Sequence, residues 1–218
     1  MAGTEITKSA ADLFGVPLEP RNARDKLLVT AIDLFYRHGF NAVGLDRIID
    51  ETGVTKTSFY KYFESKDDLM VAALKQRDQW EREAWVRAVR KIAGDDPRAQ
   101  LLAIFGVLDI WFNDPSFGGC LFINAAAEFP DKNDPVHQAA AEHKKHSRDQ
   151  FRDLAKAAGA KDPEPFADLF ALLIEGTLIM RHVHHRNDAA KLARAVAEQL
   201  VEEYISPPAR GSDVAGRA

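Results

Sequence analysis

The sequence predicts an all-α protein in two parts, a small helix-turn-helix domain followed by a larger helical domain. Apolar residues recur every three or four positions along most of the chain, which is the spacing of one buried helix face. Gly, Asn-Asp and Asp-Pro clusters separate these periodic segments. No stretch alternates apolar and polar residues for long enough to require a β-sheet.

The composition is that of an ordinary water-soluble protein, with 46% hydrophobic and 28% charged residues in 218. No apolar run approaches the ~20 residues that cross a bilayer, and the N-terminus lacks the features of a secretory signal. Cys120 is the single cysteine, so no internal disulfide can form and we expect a cytoplasmic protein. The formal net charge is −4, but eight Lys/Arg and six Asp/Glu give residues 21–66 a charge of +2.

The first helix is predicted to follow a flexible leader, residues 1–20, with order beginning near Asn22. One apolar stripe with helical spacing marks it, made of Leu28, Ala31, Ile32 and Phe35. Gly39 comes just after this stripe and suits a left-handed C-terminal cap.

Two short helices are predicted next, the first from Leu45 to Thr52 and the second from a Thr55 N-cap to about Tyr62. Gly53 breaks the chain between them. Inward-facing apolar side chains would pack both helices against the first helix: Leu45, Ile48, Ile49, Val54, Phe59 and Phe63.

The second domain, predicted to span residues 67–205, opens with a long helix. Ser65 and Asp68 resemble a capping box at its start, with Lys66 in the first turn, and the helix could run to about Ile92. Further helices are predicted at 97–112, 118–128, 133–158, 164–186 and 188–205. Residues 206–218 are Pro- and Gly-rich, and we expect a disordered tail there.

The stretch from Gly44 to Lys66 carries the strongest functional signal. Two short helices around a glycine turn form a helix-turn-helix, whose second helix enters the major groove of DNA. Hydroxyl, ammonium and phenol groups that bind phosphates and base edges would face outward, from Thr55, Lys56, Thr57, Tyr60 and Lys61. Lys66 would add its charge to a helix N-terminus that suits a phosphate.

Residues 24–74 resemble the DNA-binding domain of the TetR family of transcriptional regulators. The matching strings are A-x-x-L-F-Y-R-H-G-F (31–40), D-x-I-x-x-x-x-G-V-T-K (46–56) and S-F-Y-K-Y-F-E-S-K-D-D-L (58–69). The resemblance implies a three-helix DNA-binding domain and a C-terminal ligand-binding and dimerisation domain. It also implies DNA contacts, mostly to phosphate, from Lys56, Thr57, Tyr60, Tyr62 and Lys66.

The chain departs from the family pattern within the first helix of the motif. Gly44 stands where a threonine usually caps this helix and often touches phosphate, which puts that contact in doubt. Ile49 and Thr52 replace the usual small alanines, which suggests slightly different packing.

A ligand pocket is predicted around F-G-G-C-L-F-I-N-A-A-A-E-F-P (117–130), a block similar to one in some TetR-type regulators. Its candidate lining residues are mostly apolar with a few polar groups: Trp111, Phe112, Phe117, Cys120, Phe122, Asn124 and Glu128. Plain core packing is the alternative for each of them. Cys120 could be a redox switch or, as is more usual for a cysteine among apolar neighbours, inert packing.

A homodimer interface is predicted on helices 164–186 and 188–205, because the first of these is apolar on more than one side. Gly176 and Thr177 would allow close backbone approach there. Glu175 is the only charge within the apolar run, and it is either a pocket group or an interface residue paired with a residue such as Arg181.

Two histidine groups have residue types that zinc uses: His182, His184 and His185, and the pair His143 and His146. The first group falls at a predicted helix C-terminus, where partly cationic imidazoles are favourable without a metal. We therefore expect no metal and no cofactor.

No motif of a hydrolase elbow, a phosphate loop or a zinc protease occurs, so we expect no enzyme. The favoured interpretation is a ligand-responsive transcriptional regulator. It would bind a palindromic operator in double-stranded DNA as a dimer and, most often in this family, repress until a small-molecule effector releases it. The alternative is a helical ligand carrier or interaction protein with a non-functional helix-turn-helix.

Overall fold

A computed structural model describes residues 19–205, and within that range the chain forms nine α-helices and no strand. The all-α prediction is confirmed. The predicted leader, apart from its last two residues, and the predicted tail lie outside the described residues. The helices are α1 Ala23–His38, α2 Leu45–Thr52, α3 Lys56–Phe59, α4 Lys66–Ala93, α5 Pro97–Phe112, α6 Leu121–Glu128, α7 Pro135–Ala157, α8 Pro163–His184 and α9 Ala189–Tyr204.

Short polar side chains fix where several helices begin. The Asn22 side chain accepts a hydrogen bond from the Asp25 N–H at 2.9 Å at the start of α1. Ser65 accepts from the Asp68 N–H at 3.1 Å at the start of α4. Asp96 and Asp134 cap α5 and α7. These caps satisfy N–H groups that have no partner inside the helix, which is why local sequence located the boundaries well.

Predictions at three helix ends differ from the structure in conformation or by three residues, while the other ends agree to within about two residues. Gly39 has a positive φ of 82°, as expected, but its ψ of 165° is extended and not left-handed helical. α6 begins at Leu121 and not at 118, because Gly119, with φ +93°, lies in the irregular segment before it. α3 ends at Phe59, and the chain to Tyr62 continues as turns with a Tyr62 N–H to Phe59 O bond of 2.9 Å.

α4 joins the two parts of the molecule. Helices α1, α2 and α3 pack together, and the first turns of α4 complete their core through Leu69 and Met70. The remainder of α4 packs against α5 and α7 in the larger helical body, where α8 and α9 lie beside α7 and α5. The buried apolar residues form one continuous cluster across both parts.

None of the helices in the described residues combines the length and the apolar character needed to span a lipid bilayer.

Replacing Ser65 by alanine tests the cap at the joining helix. Ser65→Ala removes the acceptor of the Asp68 N–H, and we expect the free energy of unfolding to fall by about 1 kcal/mol. Urea denaturation at a fixed protein concentration measures the loss. Ser65→Asn is the matched control because asparagine also caps helices, and an equal loss in both variants would contradict the role of the cap.

Candidate DNA-binding surface and ligand cavity

The helix-turn-helix is held in shape by a left-handed glycine and three buried side chains. Gly53 ends α2 with φ 66° and ψ 13°, a conformation that costs a glycine little. Ile48 and Phe59 are wholly buried and Val54 nearly so, which fixes α2 and α3 against α1. α3 therefore has one face in the core and the other in solvent.

The predicted DNA-contacting side chains share this outer face. All are exposed except Lys66, which is partly buried: Thr55, Lys56, Thr57, Tyr60, Lys61, Tyr62 and Lys66. Tyr60 leaves 56% of its surface exposed and Tyr62 43%. Tyrosine combines an apolar ring with a hydroxyl group and is enriched at interfaces, so both side chains are suited to contact a partner.

Two of these residues already have structural roles within the chain. The Thr55 hydroxyl accepts from the Ser58 N–H at 3.2 Å and so caps α3. The Lys66 ammonium donates to the Phe40 carbonyl oxygen at 2.8 Å, which joins the start of α4 to the loop after α1. In the described structure, the Lys66 ammonium group that the sequence assigned to a phosphate is therefore already hydrogen-bonded to a carbonyl oxygen.

Lys56 forms an ion pair on the outer face with a carboxylate of α2. Its Nζ atom lies 2.8 Å from Asp46 Oδ1, and both side chains are well exposed. The hydrogen bond to Asp46 raises the pKa of Lys56. Asp46 therefore pairs with the ammonium group that the sequence assigned to DNA binding.

Glu128 connects the larger body to the helix-turn-helix domain, although the sequence assigned it to the ligand pocket. Its carboxylate accepts hydrogen bonds from the backbone N–H groups of Phe40 at 2.9 Å and Asn41 at 2.7 Å. A second contact runs parallel to it, in which the Gly118 N–H donates to the Tyr36 hydroxyl oxygen at 2.6 Å. Burial raises the pKa of Tyr36, and the Gly118 contact only partly offsets this effect.

A cavity of about 360 Å³ lies in the helical body, within the range of small-molecule sites. Its walls come from α4, α5, α7 and α8, together with Cys120 just before α6. Apolar and aromatic side chains form most of the surface: Trp85, Val86, Val89, Ile104, Leu108, Trp111, Phe151, Leu154, Ala171, Ile174 and Leu178.

A polar cluster forms one part of the cavity wall. The Lys144 ammonium lies 2.9 Å from Glu175 Oε1 and 3.5 Å from the Cys120 sulfur. Burial lowers the pKa of Lys144, but the contacts with Cys120 and Glu175 outweigh it, and the pKa is raised. Burial also raises the pKa of Cys120, so this thiol is protonated at neutral pH.

The cavity includes three of the eight predicted ligand-binding residues, Trp111, Cys120 and Glu175. Glu175 pairs with Lys144 at the cavity. Arg181, its other predicted partner, donates to the Phe112 carbonyl oxygen at 2.8 Å.

The other five predicted ligand-binding residues lie outside the cavity lining: Phe112, Phe117, Phe122, Asn124 and Glu128. Phe112 and Phe122 are wholly buried core residues, and Phe117 packs against the Arg181 guanidinium. The residues of α6 do not line this cavity, because α6 packs against α7 and contacts the helix-turn-helix domain through Glu128.

Sequence reasoning missed the contribution of α4 and α7 to the cavity. His143 and His146 were noted only as possible metal ligands, and the described residues contain no cluster of three His, Cys, Asp or Glu that could hold a metal ion. Both histidines instead contact Asp78 of α4, and His143 also lines the cavity.

Comparison with known proteins matches both parts of the chain to one family. Residues 27–73 match the model of bacterial regulatory proteins of the tetR family. Residues 97–197 match the tetracyclin repressor-like C-terminal domain.

Solved structures and curated relatives agree with these matches. The TetR-family regulator SCO4454 of Streptomyces coelicolor is 31% identical, with a TM-score of 0.75, covering 84% of this chain and 95% of that one. A tetr-transcriptional regulator of Streptomyces avermitilis is 28% identical with a TM-score of 0.73, covering 84% and 98%. The HTH-type transcriptional regulator YjdC of Escherichia coli is 24% identical over 82% of this chain and 93% of its own length. The chain belongs to the TetR family of helix-turn-helix transcriptional regulators.

Proposed function

We propose that this regulator is a repressor that binds a palindromic operator as a dimer in the cytoplasm and releases it when a small, largely apolar molecule fills the cavity. The observation that carries the proposal is the occurrence, in one chain, of an exposed aromatic and basic helix face and a largely apolar cavity. The joining helix α4 contributes to both the core of the DNA-binding domain and the cavity wall.

The dimer is proposed to form through α8 and α9, which leave a row of large apolar side chains in solvent. Leu172 is 71% exposed, Val183 57% and Leu192 50%. A groove between the two helices continues this surface and is lined by Gly176 and Thr177 among apolar residues. Contiguous apolar patches of this kind mark protein–protein interfaces, and a second copy would bring two recognition helices to one DNA site.

Selection of bound sequences from a random DNA pool tests the function directly. We expect the wild-type protein to enrich a palindrome, and the Lys56→Ala/Tyr60→Ala variant to enrich none, because both side chains lie on the outer face of the motif. Lys145→Ala, exposed on α7, is the control for loss of a positive charge. Equal enrichment by wild type and the double variant would contradict the proposed recognition surface.

Replacing Asp46 by asparagine should strengthen operator binding. The change releases the Lys56 ammonium and removes a negative charge beside the phosphates, so we expect a two- to fivefold lower Kd at low salt, about the effect of one exposed ion pair. The steeper salt dependence of the variant gives a second measure. Asp50→Asn carries the same charge change on α2; a gain of equal size in that control would show that charge alone, and not the Lys56 contact, is responsible.

Replacing Leu172 by aspartate should produce monomers, because the charge would lie in the centre of the proposed interface. Light scattering at several protein concentrations measures the state, with circular dichroism to verify the fold. Ile92→Asp places the same charge at an exposed apolar residue of α4, outside the interface, and we expect it to remain a dimer. An intact Leu172→Asp dimer would move the interface to another surface.

A further inference from the structure

His143 is a buried imidazole in the cavity wall with one ring nitrogen held and the other unused. Only 8% of its surface is exposed. Its ring stacks on Phe122 with the centroids 3.5 Å apart and the planes within 7°. Its Nδ1 atom lies 2.8 Å from Asp78 Oδ1, so ring position and orientation are both fixed.

Asp78 determines which nitrogen of His143 carries the proton. Burial raises the pKa of Asp78, but the His143 hydrogen bond and the nearby Arg82 and His146 outweigh it and lower the pKa, so Asp78 is an anion. A carboxylate can only accept, and Nδ1 must therefore donate. The Arg82 guanidinium, with Nε 3.1 Å from Asp78 Oδ2, already supplies a counter-charge. In the neutral tautomer that carries its proton on Nδ1, the lone pair is on Nε2.

His143 and Glu81 both line the cavity, whereas Asp78, the partner of Nδ1, does not. Glu81 Oε2 lies 3.9 Å from Nε2, so Nε2 is on the side of the ring that faces Glu81 and is turned away from Asp78. That separation is too long for a hydrogen bond. Among the described residues, His143 Nε2 has no hydrogen-bond partner within the chain. A ligand that donates to Nε2 would gain a hydrogen bond in a largely buried site.

The surroundings of His143 select a neutral, aromatic ligand. Trp85 and Trp111 lie edge to face, with centroids 6.3 Å apart, and both line the cavity. The Glu81 carboxylate disfavours an anionic ligand group beside Nε2. The charge of Glu81 is itself balanced by Arg77, whose Nε atom lies 2.5 Å from Glu81 Oε1. Lys144 and Glu175 likewise neutralise each other. The other charged lining residues in the described chain are also paired: Arg82 with Asp78, Arg90 with Asp95, Arg148 with Asp168 and Asp153 with Arg152. A charged ligand would therefore lose its hydration without a free counter-charge in the lining.

We propose that His143 Nε2 anchors the effector, a neutral aromatic molecule that donates an O–H or N–H hydrogen bond to it. The assignment rests on the proposed ligand-responsive function and names the chemical class that this cavity accepts. Asp78 acts as a positioning residue, because it fixes the ring and the tautomer without touching the ligand.

A matched set of biphenyls tests the proposal on the full-length protein without DNA. The probes are 4-phenylphenol, its methyl ether, biphenyl-4-carboxylate and 4-phenylbenzylamine, and quenching of tryptophan fluorescence reports binding at Trp85 and Trp111. The ether has the same ring system but no donor. We expect the phenol to bind about tenfold more tightly than the ether, the value of one neutral hydrogen bond, and both charged probes to bind more weakly than the phenol.

Two histidine variants locate the contact. In His143→Gln we expect the preference for the phenol over the ether to fall to about twofold or less. His146→Gln is the matched control, because His146 lies on the same helix and also contacts Asp78, at 3.0 Å, but does not line the cavity. The wild-type panel tests the proposal even if a variant fails to fold. A phenol that does not bind, an ether or a charged probe that binds as well, or an unchanged preference in His143→Gln would overturn it.

Release of the operator DNA is measured in a separate experiment. Failure of the proposed mode of repression can then be distinguished from failure of the assignment of His143. A phenol that binds through His143 but leaves the operator complex intact contradicts the proposed mode of repression and supports the assignment of His143. Release by a molecule without a donor group, together with equal binding of the phenol and the ether, contradicts the assignment of His143 and leaves the repressor function standing.

Discussion

The placement of the DNA-binding domain depends on one carboxylate, that of Glu128, and the two backbone N–H groups that it holds. Charge-assisted hydrogen bonds are stronger than neutral ones, and these two attach the loop after α1 to the end of α6. Lys66 binds the carbonyl oxygen of Phe40, whose N–H is one of those that Glu128 accepts. Lys66 and Glu128 therefore hold the loop after α1 from both sides. These contacts set the orientation of the helix-turn-helix relative to the helical body. The hydrogen bond between Tyr36 and Gly118 also joins α1 to the chain just before α6.

The cavity borders the same two segments that hold the DNA-binding domain. Cys120 lines the cavity, and it lies two residues from Gly118 and one helix from Glu128. α4 likewise contributes Trp85 to the cavity and Leu69 to the core of the DNA-binding domain. A packed helix transmits displacement along its length because the interior is dense. In the proposed mechanism, a molecule that moves the cavity wall would therefore change the energy of the contacts that position the recognition helix, without touching that helix.

Sequence predicted most features that depend on neighbours in the chain, although not the conformation of Gly39 or the start of α6. Caps such as Ser65, the turn at Gly53 and the outward face of α3 follow from local propensity and periodicity, and the structure has them. The cavity was only partly predictable, since the sequence does not state which helices surround it. Glu128 and Asn124 share a helix with polar spacing suitable for a ligand, but helix packing turns Glu128 toward Phe40. His143 could not be identified as a cavity residue before its partner Asp78, 65 residues away, was known.

The charges of the DNA-binding surface explain why operator binding would depend strongly on the spacing between the two DNA-binding domains of the proposed dimer. Lys56 is engaged by Asp46 and Lys66 by a carbonyl oxygen, so two of the three lysines predicted to contact DNA already have partners within the described chain, whose net charge is −4 over the full sequence. In the proposed mechanism, the affinity of one domain for phosphates would then be modest, and specific binding would require both domains of the dimer to engage at once. The second contact is effectively intramolecular, and it is lost when the spacing between the domains no longer fits the DNA. In the proposed mechanism, a small rotation at the Glu128 contact would therefore weaken the operator complex, although Glu128 belongs to the helical body and not to the helix-turn-helix.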